Sequence, residues 1–344
     1  MLTDIKSMNL AEISAYLTDN GFEKFRAKQV LAWIKQDAAN FDEMTNLPAK
    51  LRDFLKQNAY LAKAQIVRVQ RSKIDATEKF LFELFDGEFV EGVLMRYHHG
   101  NTVCISSQVG CRMGCKFCAS TVAGKVRDLA PSEMIDQVLF TGLDSGAEIS
   151  NIVLMGIGEP LDNFDNVLRF LELVNDPEGL NIGMRHISLS TCGVVPQIDR
   201  LASLRLQLTL SVSLHAPDNK TRSRIMPINR AYPVEELFAA CHRYFTATGR
   251  RISFEYAMID GVNDTDAQAD RIAAELRGMP GHVNLIPLNN VTESPFHPSR
   301  RIAAFQKRLE SHGVTATVRR SLGGDIDASC GQLRRKVLEE RRES

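Results

Sequence analysis

The sequence predicts an α/β fold in which a parallel sheet forms an open, partial (β/α)6 barrel, preceded by a small helical module and a hairpin. Three observations predict this fold. From about Thr102 onward, short apolar or β-branched runs alternate with segments of helical spacing. Three amphipathic segments come before that alternation, and polar residues gather where the apolar runs end. Strand and helix in alternation favour a parallel sheet with right-handed crossovers.

The amino-terminal part of the chain lacks this alternation. Apolar residues three and four positions apart predict helices at residues 10–17, 24–36 and 49–58. Runs typical of strands follow at residues 66–70, 78–84 and 89–94, and the last two are joined by a turn at Asp86-Gly87. We therefore predict a helical accessory domain at residues 1–60 and a β-hairpin linker at residues 61–96.

The barrel is predicted at residues 97–330, followed by a basic tail at residues 331–344. Its predicted strands cover residues 103–107, 151–155, 186–191, 207–213, 252–258, 282–287 and 314–319. The predicted helices between them cover residues 131–143, 163–174, 195–203, 233–248, 265–276 and 299–312. Six strand–helix repeats and a final strand are too few for a closed eight-fold barrel, so we expect an open or partial one.

Polar residues follow almost every predicted barrel strand. They are Cys111, residues 156–159, 190–191 and 213–215, Asp260, Asn289 and Cys330. Barrel enzymes build their sites at the carboxyl ends of the strands. Several independent repeats therefore indicate one functional site at that mouth.

Composition sets broad limits on function. A chain of 344 residues suggests one large and one smaller domain, at about 150 residues per domain. No apolar run approaches the roughly 20 residues that span a bilayer, and residues 1–10 lack an apolar signal core. We expect a cytoplasmic protein. Seven cysteines in such a chain favour metal or thiol chemistry over a disulfide framework.

The charge balance does not by itself indicate a nucleic-acid-binding protein, because 42 basic residues face 42 acidic ones. What matters for such binding is a local basic patch. Candidate patches lie at residues 220–224, 250–251, 300–301, 319–320 and 334–336. Each alone is more often a solvated surface, so none decides the function.

Three cysteines lie within eight residues in the run Cys111-Arg-Met-Gly-Cys115-Lys-Phe-Cys118. Three thiolates at these gaps can each bind one iron of a cubane cluster and leave the fourth iron open to substrate. Gly110 and Gly114 supply the backbone freedom of a tight loop. The alternative is a zinc site, which wants four ligands and could recruit His98 or His99. Zinc sites more often use pairs of Cys-x-x-Cys, so we favour the cluster.

The cysteine triple resembles the hallmark Cys-x-x-x-Cys-x-aromatic-Cys of the radical S-adenosylmethionine (SAM) superfamily, over roughly residues 102–320. The resemblance implies a 4Fe-4S cluster whose open iron chelates SAM, and one-electron cleavage of SAM to a 5′-deoxyadenosyl radical. The run Gly-Ile-Gly-Glu-Pro at residues 156–160 is weak alone, since it suits a turn. Here it resembles the superfamily loop that accepts the SAM ammonium group.

Two more cysteines extend the resemblance. Cys104 lies on the strand that enters the cluster loop, and Cys330 follows the last strand between glycines that favour a flexible loop. Four stretches are similar to the RlmN/Cfr family of 23S rRNA adenine methyltransferases, and more to its RlmN branch. They are Cys-Ile-Ser-Ser-Gln-Val-Gly-Cys at 104–111, Gly-Ile-Gly-Glu-Pro-Leu-Asp-Asn at 156–163, Ser-Leu-His-Ala-Pro-Asp-Asn at 213–219 and Asp-Ile-Asp-Ala-Ser-Cys-Gly-Gln-Leu at 325–333.

The resemblance implies a role for each of these residues. Cys330 takes a methyl group from one SAM, which needs a thiolate, and a second SAM supplies the radical that activates this methyl-cysteine. A covalent enzyme–RNA adduct follows. Cys104 then attacks Cys330, forming a transient disulfide and releasing the methylated RNA. Glu91 matches the family's proton acceptor at adenine carbon 2, whereas without the resemblance it is an exposed hairpin carboxylate.

The resemblance also implies ligands and partners. The predicted SAM contacts are Gly158, Glu159, Ser190, Ser213, Leu214, His215 and Asn289. The expected substrates are an adenosine of 23S rRNA and the adenosine 3′ of the anticodon in tRNA. The helical domain is expected to bind RNA, and an electron donor such as flavodoxin or ferredoxin is implied. We expect a monomer with no membrane partner.

Three other functions stay open. Methylation at carbon 8 of the same rRNA adenine, as in the Cfr branch, uses the same cysteines. A radical SAM activase acting on a protein glycine needs neither Cys104 nor Cys330. A zinc-stabilised RNA-binding protein predicts zinc in place of iron.

Overall fold

The structure is a computed structural model, and it describes residues 2–288, 295–326 and 331–343. Its strands are β1 (Thr3–Asp4), β2 (Ala59–Tyr60), β3 (Gln65–Arg71), β4 (Glu78–Glu83), β5 (Phe89–Tyr97), β6 (Gly100–Cys104), β7 (Gln108–Gly110), β8 (Lys125–Asp128), β9 (Ile149–Leu154), β10 (Ile187–Thr191), β11 (Thr209–Ser213), β12 (Ile252–Met258), β13 (Gly281–Pro287) and β14 (Thr315–Val318). Its helices are α1 (Leu10–Asp19), α2 (Arg26–Lys35), α3 (Ala49–Asn58), α4 (Pro131–Ser145), α5 (Phe164–Asn175), α6 (Val195–Ser203), α7 (Asn219–Ile225), α8 (Val234–Thr248), α9 (Asp266–Glu275), α10 (Ile302–Ser311) and α11 (Gln332–Glu343).

The amino-terminal unit consists of α1, α2 and α3 around an apolar centre. Asn9 and Glu12 form a capping box that starts α1, because each side chain accepts from the backbone amide of the other. Apolar side chains at helical spacing, such as Ile13, Leu17 and Leu51, are fully buried in this unit. The three helices predicted from periodicity are confirmed.

A ten-stranded sheet organises the remainder, in the order β14-β13-β12-β11-β10-β9-β6-β5-β4-β3. Within this sheet, strands β6 and β9 to β14 pair in parallel, and helices lie between successive members in the chain. Six strand–helix repeats end in a final strand, and β14 and β3 occupy the two open edges. The predicted partial (β/α)6 architecture is confirmed.

The hairpin predicted as a linker lies in the same sheet. Strand β5 pairs antiparallel with β6, with Val93 opposite Cys104, so β3, β4 and β5 continue the sheet past the first barrel strand. An edge extension and a separate hairpin have the same local pattern of alternating residues and a tight turn, which is why the sequence did not show this continuity. The boundaries at residues 60, 96 and 330 stay a prediction.

The carboxyl-terminal segment also differs from the sequence prediction. Residues predicted as a basic tail form α11, which lies on β4 and β5. Leu333 and Val337, one helical turn apart, pack against Leu81 and Phe89. The sequence did not indicate this helix, because its narrow apolar stripe lies among many charged residues.

The amino-terminal unit docks on the barrel through buried polar contacts. Lys6 forms an ion pair with Asp136 on α4, and the same carboxylate accepts from the backbone amide of Ala64 at 3.0 Å. Arg169 on α5 donates to the backbone oxygen of Ser7 at 3.1 Å. None of the helices in the described ranges has the length and apolar character that spanning a membrane requires.

Candidate active site

The cysteine loop begins and ends in a small separate sheet. Strand β7 pairs antiparallel with β8, so the chain between them forms a closed loop that contains the three predicted ligands. Gly110 is the residue on which this closure depends. It has a φ of +75°, and a Cβ there would lie 1.9 Å from the backbone oxygen of Gly124. Only glycine allows the two ends of the loop to approach this closely.

Cys111, Cys115 and Cys118 line one cavity of about 280 Å³ at the carboxyl ends of the parallel strands. The cavity is also lined by several residues that the sequence predicted as SAM contacts: Gly158, Glu159, Ser190, Ser213 and His215. The structure therefore brings together residues from four separate segments of the chain. These residues line one concave surface at the barrel mouth, where barrel enzymes build their sites.

The thiols in this cavity favour their neutral form while no cation is bound. Burial raises the pKa of Cys111 to about 12, and it also raises the pKa values of Cys115 and Cys118. A bound metal reverses that preference, since thiolates are the forms that ligate it. Three thiols that line one cavity fit an iron–sulfur cluster with three cysteine ligands.

The zinc alternative fits less well. Among the described residues, no three His, Cys, Asp or Glu side chains converge closely enough to bind one metal ion. Cysteines of a cubane cluster ligate different irons and need no such convergence. His98 and His99 are exposed in the turn between β5 and β6, at the opposite end of β6 from the cysteine loop. Neither can complete a zinc site there.

The loop after β9 packs against the segment that leads to the cysteines. Gly158 has a φ of +115°, and a Cβ there would lie 2.8 Å from the backbone nitrogen of Gln108. Glu159 is 3% exposed, and its carboxylate accepts from the backbone amides of Leu161 at 3.0 Å and Cys192 at 2.7 Å. Burial raises the pKa of Glu159. The carboxylate thus lies at the cavity wall in a fixed orientation.

His215 lies just past β11 with a φ of +53°. Its Nδ1 accepts from the backbone amide of Ala257 at 2.9 Å, so the neutral ring carries its proton on Nε2. Burial lowers the pKa of His215 to about 3, and the ring meets Phe117 of the cysteine loop edge-on at 4.8 Å. The side chain of the neighbouring Leu214 packs in the core, and its backbone amide donates to the oxygen of Glu255; its role as a SAM contact stays a prediction.

A second cavity of about 210 Å³ adjoins the first, and Glu91 and Cys104 line it. The two cavities share the lining residues Met155, Gly156, Ile286, Pro287 and Arg319. The predicted residues therefore form two groups in adjacent cavities of the same mouth. The three cysteines line the first cavity with several predicted SAM contacts, and Glu91 and Cys104 line the second. Cys330 and Asn289, also predicted site residues, lie outside the described residues.

Glu91 is not an exposed hairpin carboxylate. It is 2% exposed, forms an ion pair with Lys79 at 2.9 Å, and accepts from the backbone amides of Gly331 and Arg334, both at 2.6 Å. These amides belong to the start of α11, where the helix dipole favours a negative charge. Glu91 thereby fixes the residue that follows Cys330 in the chain.

We expect Glu91→Gln to weaken this attachment. The amide cannot offer two accepting oxygens, and Lys79 loses its charged partner in the interior, so the free energy of unfolding should fall by about 3 kcal/mol. Urea unfolding measures that loss, and hydrogen exchange of α11 should rise with it. The control Glu88→Gln removes a partly exposed pair with Arg334 and should cost less than about 1 kcal/mol. Unchanged exchange in α11 of Glu91→Gln would contradict the attachment.

Sequence comparisons with known proteins match both the amino-terminal unit and the barrel. A sequence model of the Radical SAM superfamily matches residues 105–271, and one of the ribosomal RNA large subunit methyltransferase N-terminal domain matches residues 3–61. Two relatives are each named probable dual-specificity RNA methyltransferase RlmN. That of Lachnospira eligens is 51% identical over 100% of this chain and 99% of its own length. That of Caldanaerobacter subterraneus is 52% identical over 98% of this chain and 99% of its own.

The chain belongs to the RlmN family of radical SAM RNA methyltransferases. A solved structure agrees with this. A radical SAM methyltransferase from Sphaerobacter thermophilus superposes with a TM-score of 0.90 at 45% identity, covering 96% of this chain and 98% of that one. The family uses a 4Fe-4S cluster and SAM, which the three-thiol cavity fits.

Three residues in or near the site of this family member, Gln108, Arg222 and Arg319, were not found by sequence reasoning. Gln108 joins two loops, because its amide accepts from the backbone of Glu159 and donates to Asp128 and Asp162. Arg319 lines both cavities, although its basic pair was treated only as a possible surface patch. Arg222, from another such patch, is fully buried. A charged residue in a polar run carries no sequence signal that separates a surface position from a buried one.

Proposed function

We propose that this chain methylates carbon 2 of one adenosine in 23S rRNA and of the adenosine 3′ of the anticodon in tRNA. One observation carries the proposal: the cavity lined by Glu91 and Cys104 opens directly beside the cavity lined by the three cysteines. An acid–base group and a second thiol are what the family's chemistry at an adenine ring requires beyond the cluster. The name of the relatives, probable dual-specificity RNA methyltransferase, supports two RNA substrates.

In this proposal Cys111, Cys115 and Cys118 hold the cluster. When bound, the cluster and SAM together supply a 5′-deoxyadenosyl radical. The chain itself orients SAM through residues at the strand ends. These residues are Gly158, Glu159, Ser190, Ser213, Leu214, His215 and Asn289. Because His215 is neutral and donates from Nε2, it can hydrogen-bond a ligand without adding charge to the cavity.

We propose that Cys330 carries the methyl group and that this group loses one hydrogen atom to the 5′-deoxyadenosyl radical. The resulting methylene radical adds to carbon 2 of adenine, and the ring becomes aromatic again when it loses the carbon-2 proton and one electron, which would return to the cluster. Glu91 is the proton acceptor at carbon 2. Its oxygens now accept from Gly331 and Arg334, so it can take a proton from adenine only after the start of α11 has moved away. Release of α11 therefore accompanies entry of the target base. The Cys104 thiolate then attacks the sulfur of Cys330, so that a disulfide forms and the sulfur–methylene bond breaks. The released carbon takes a proton from solvent and becomes the methyl group of the product.

Mass spectrometry of nucleosides tests this function. Deletion of the gene should remove 2-methyladenosine from 23S rRNA and from tRNA, and the wild-type chain should restore it. Restoration of 8-methyladenosine would assign the Cfr-type reaction in its place. Restoration in one RNA only would contradict the dual specificity.

The carrier role of Cys330 has its own test. After expression with SAM present, the peptide that contains Cys330 should be one methyl group heavier, because a thiolate displaces that group from SAM. Peptide mass spectrometry locates it. Cys241→Ala, which removes a thiol buried in the core, should leave the modification unchanged. Active enzyme that carries the methyl group on another residue would exclude Cys330.

Three further proposals concern the electron donor, the RNA-binding domain and the state in which the chain works. We propose that a flavodoxin or ferredoxin supplies the electron, that the helical domain at residues 1–60 contacts RNA, and that the chain works as a cytoplasmic monomer. The match of residues 3–61 to a methyltransferase N-terminal domain supports the assignment of that domain.

A further inference from the structure

Arg222 on α7 is a buried charge whose hydrogen-bond partners, in the part of the chain that the structure describes, are all neutral groups. Its side chain is fully buried, and its guanidinium donates to the backbone oxygens of Leu214 at 3.0 Å, Cys192 at 2.7 Å and Ser213 at 3.2 Å. A fourth bond goes to Oδ1 of Asn229 at 3.2 Å. Within the described ranges, no carboxylate lies at ion-pair distance from it.

This arrangement is costly in the protein alone. Carbonyl and amide oxygens satisfy the N–H groups of a guanidinium but do not neutralise its charge, and burying a charge without an opposite one is unfavourable. Arginine keeps its proton even so, because its ordinary pKa is very high. A buried cation of this kind calls for a negative charge that arrives with a ligand.

Arg222 lies on a helix that contacts the cysteine loop, where a bound cluster would place negative charge. The last residue of α7, Ile225, accepts at its backbone oxygen from the amide of Lys116 at 2.9 Å, so α7 is tied to the cysteine loop. Cys115 and Cys192 line the cavity of the three cysteines, and thiolates at these positions would attract the positive charge of Arg222. Glu159 lies beyond Cys192, with its oxygens engaged by backbone amides.

We propose that Arg222 is the buried counter-charge of the iron–sulfur cluster, a positioning residue that favours thiolate ligation and raises the cluster's reduction potential. The proposal rests on the assignment of Cys111, Cys115 and Cys118 as ligands. Three thiolates bring more negative charge than a cubane cluster brings positive, and reduction by one electron adds another negative charge. A fixed cation behind Cys115 stabilises both changes, and no solvent screens it.

The test is a redox titration of the reconstituted protein, followed by electron paramagnetic resonance. In Arg222→Gln, which keeps hydrogen-bonding groups but loses the charge, reduction should become at least about tenfold less favourable, which is about 59 mV for one electron. Arg222→Lys retains a charge and should stay closer to the wild-type potential. Iron retained after chelator challenge should fall in Arg222→Gln and be partly restored in Arg222→Lys.

Asn229 offers a matched pair of variants that leaves Arg222 in place. Asn229→Asp puts a carboxylate against Nη1 of Arg222 and should lower the potential as Arg222→Gln does. Asn229→Ala disturbs the same packing without adding charge and should leave the potential near the wild-type value. This pair decides the question even if Arg222→Gln does not fold.

Three results are decisive. Wild-type potentials in cluster-loaded Arg222→Gln and Asn229→Asp would overturn the proposal. So would an equal shift in Asn229→Ala and Asn229→Asp, because packing and not charge would then be the cause. Failure of the wild-type chain to bind iron would instead refute the ligand assignment, which is a separate outcome.

Discussion

Replacing Cys115 by alanine is expected to leave a folded protein that binds almost no iron. The wild-type chain, reconstituted without oxygen, should hold about four irons and absorb as a cubane cluster. With two thiols of the triple remaining, one more iron loses its protein ligand. His215 faces the same cavity, but its Nδ1 already accepts from the backbone of Ala257. Production of 5′-deoxyadenosine should fall to background.

Iron analysis and the visible spectrum check this result, and the chain supplies a matched control. Cys241 is a buried thiol whose side chain packs in the barrel core away from the cavity. Cys241→Ala removes the same atom type at a similar cost in packing, so it should keep its iron. Full activity and normal iron content in Cys115→Ala would rule out the three-cysteine assignment.

The fold was predictable from sequence wherever side chains repeat with a clear period. Strand β12 and helix α6 were predicted at their observed bounds, because each is a pattern of apolar residues bounded by polar residues, glycine or proline. The order of the parallel strands followed from alternation with helices. Helix α7 was not predicted, since its seven residues are mostly polar and carry too few apolar positions to define a face.

The site was predictable only in part. The cysteine triple and the strand-end residues gave its position, because their chemistry and spacing are local features of the sequence. The attachment of Glu91 to Gly331 joins residues 240 positions apart, and nothing local to either one indicates it. The same holds for Arg222, whose burial depends on how α7 docks against the cysteine loop. Long-range hydrogen bonds of backbone groups leave no pattern along the chain.

Replacing Cys104 by alanine is expected to trap RNA on the enzyme. Breakdown of the adduct needs a thiolate that attacks the sulfur of Cys330, whereas the earlier steps do not use this thiol. Cys104 lines the same cavity as Glu91 and lies at the end of β6, directly opposite Val93. Burial raises its pKa, while the positive charges of Arg319 and Lys79 oppose that rise. These two cations favour the thiolate that the attack requires.

Purified Cys104→Ala should therefore carry covalently bound RNA, which nuclease reduces to a single modified nucleotide on the Cys330 peptide. Denaturing gels and mass spectrometry detect it. The double variant that also lacks Cys330 should carry none, because no adduct can form. Cys192 is a buried thiol at the mouth outside the cysteine triple. Its backbone amide donates to Glu159, and it lines the cavity of the three cysteines, not the one with Glu91. RNA-free Cys104→Ala with normal turnover would show that another group resolves the adduct, and Cys104→Ala combined with Cys192→Ala would then identify it.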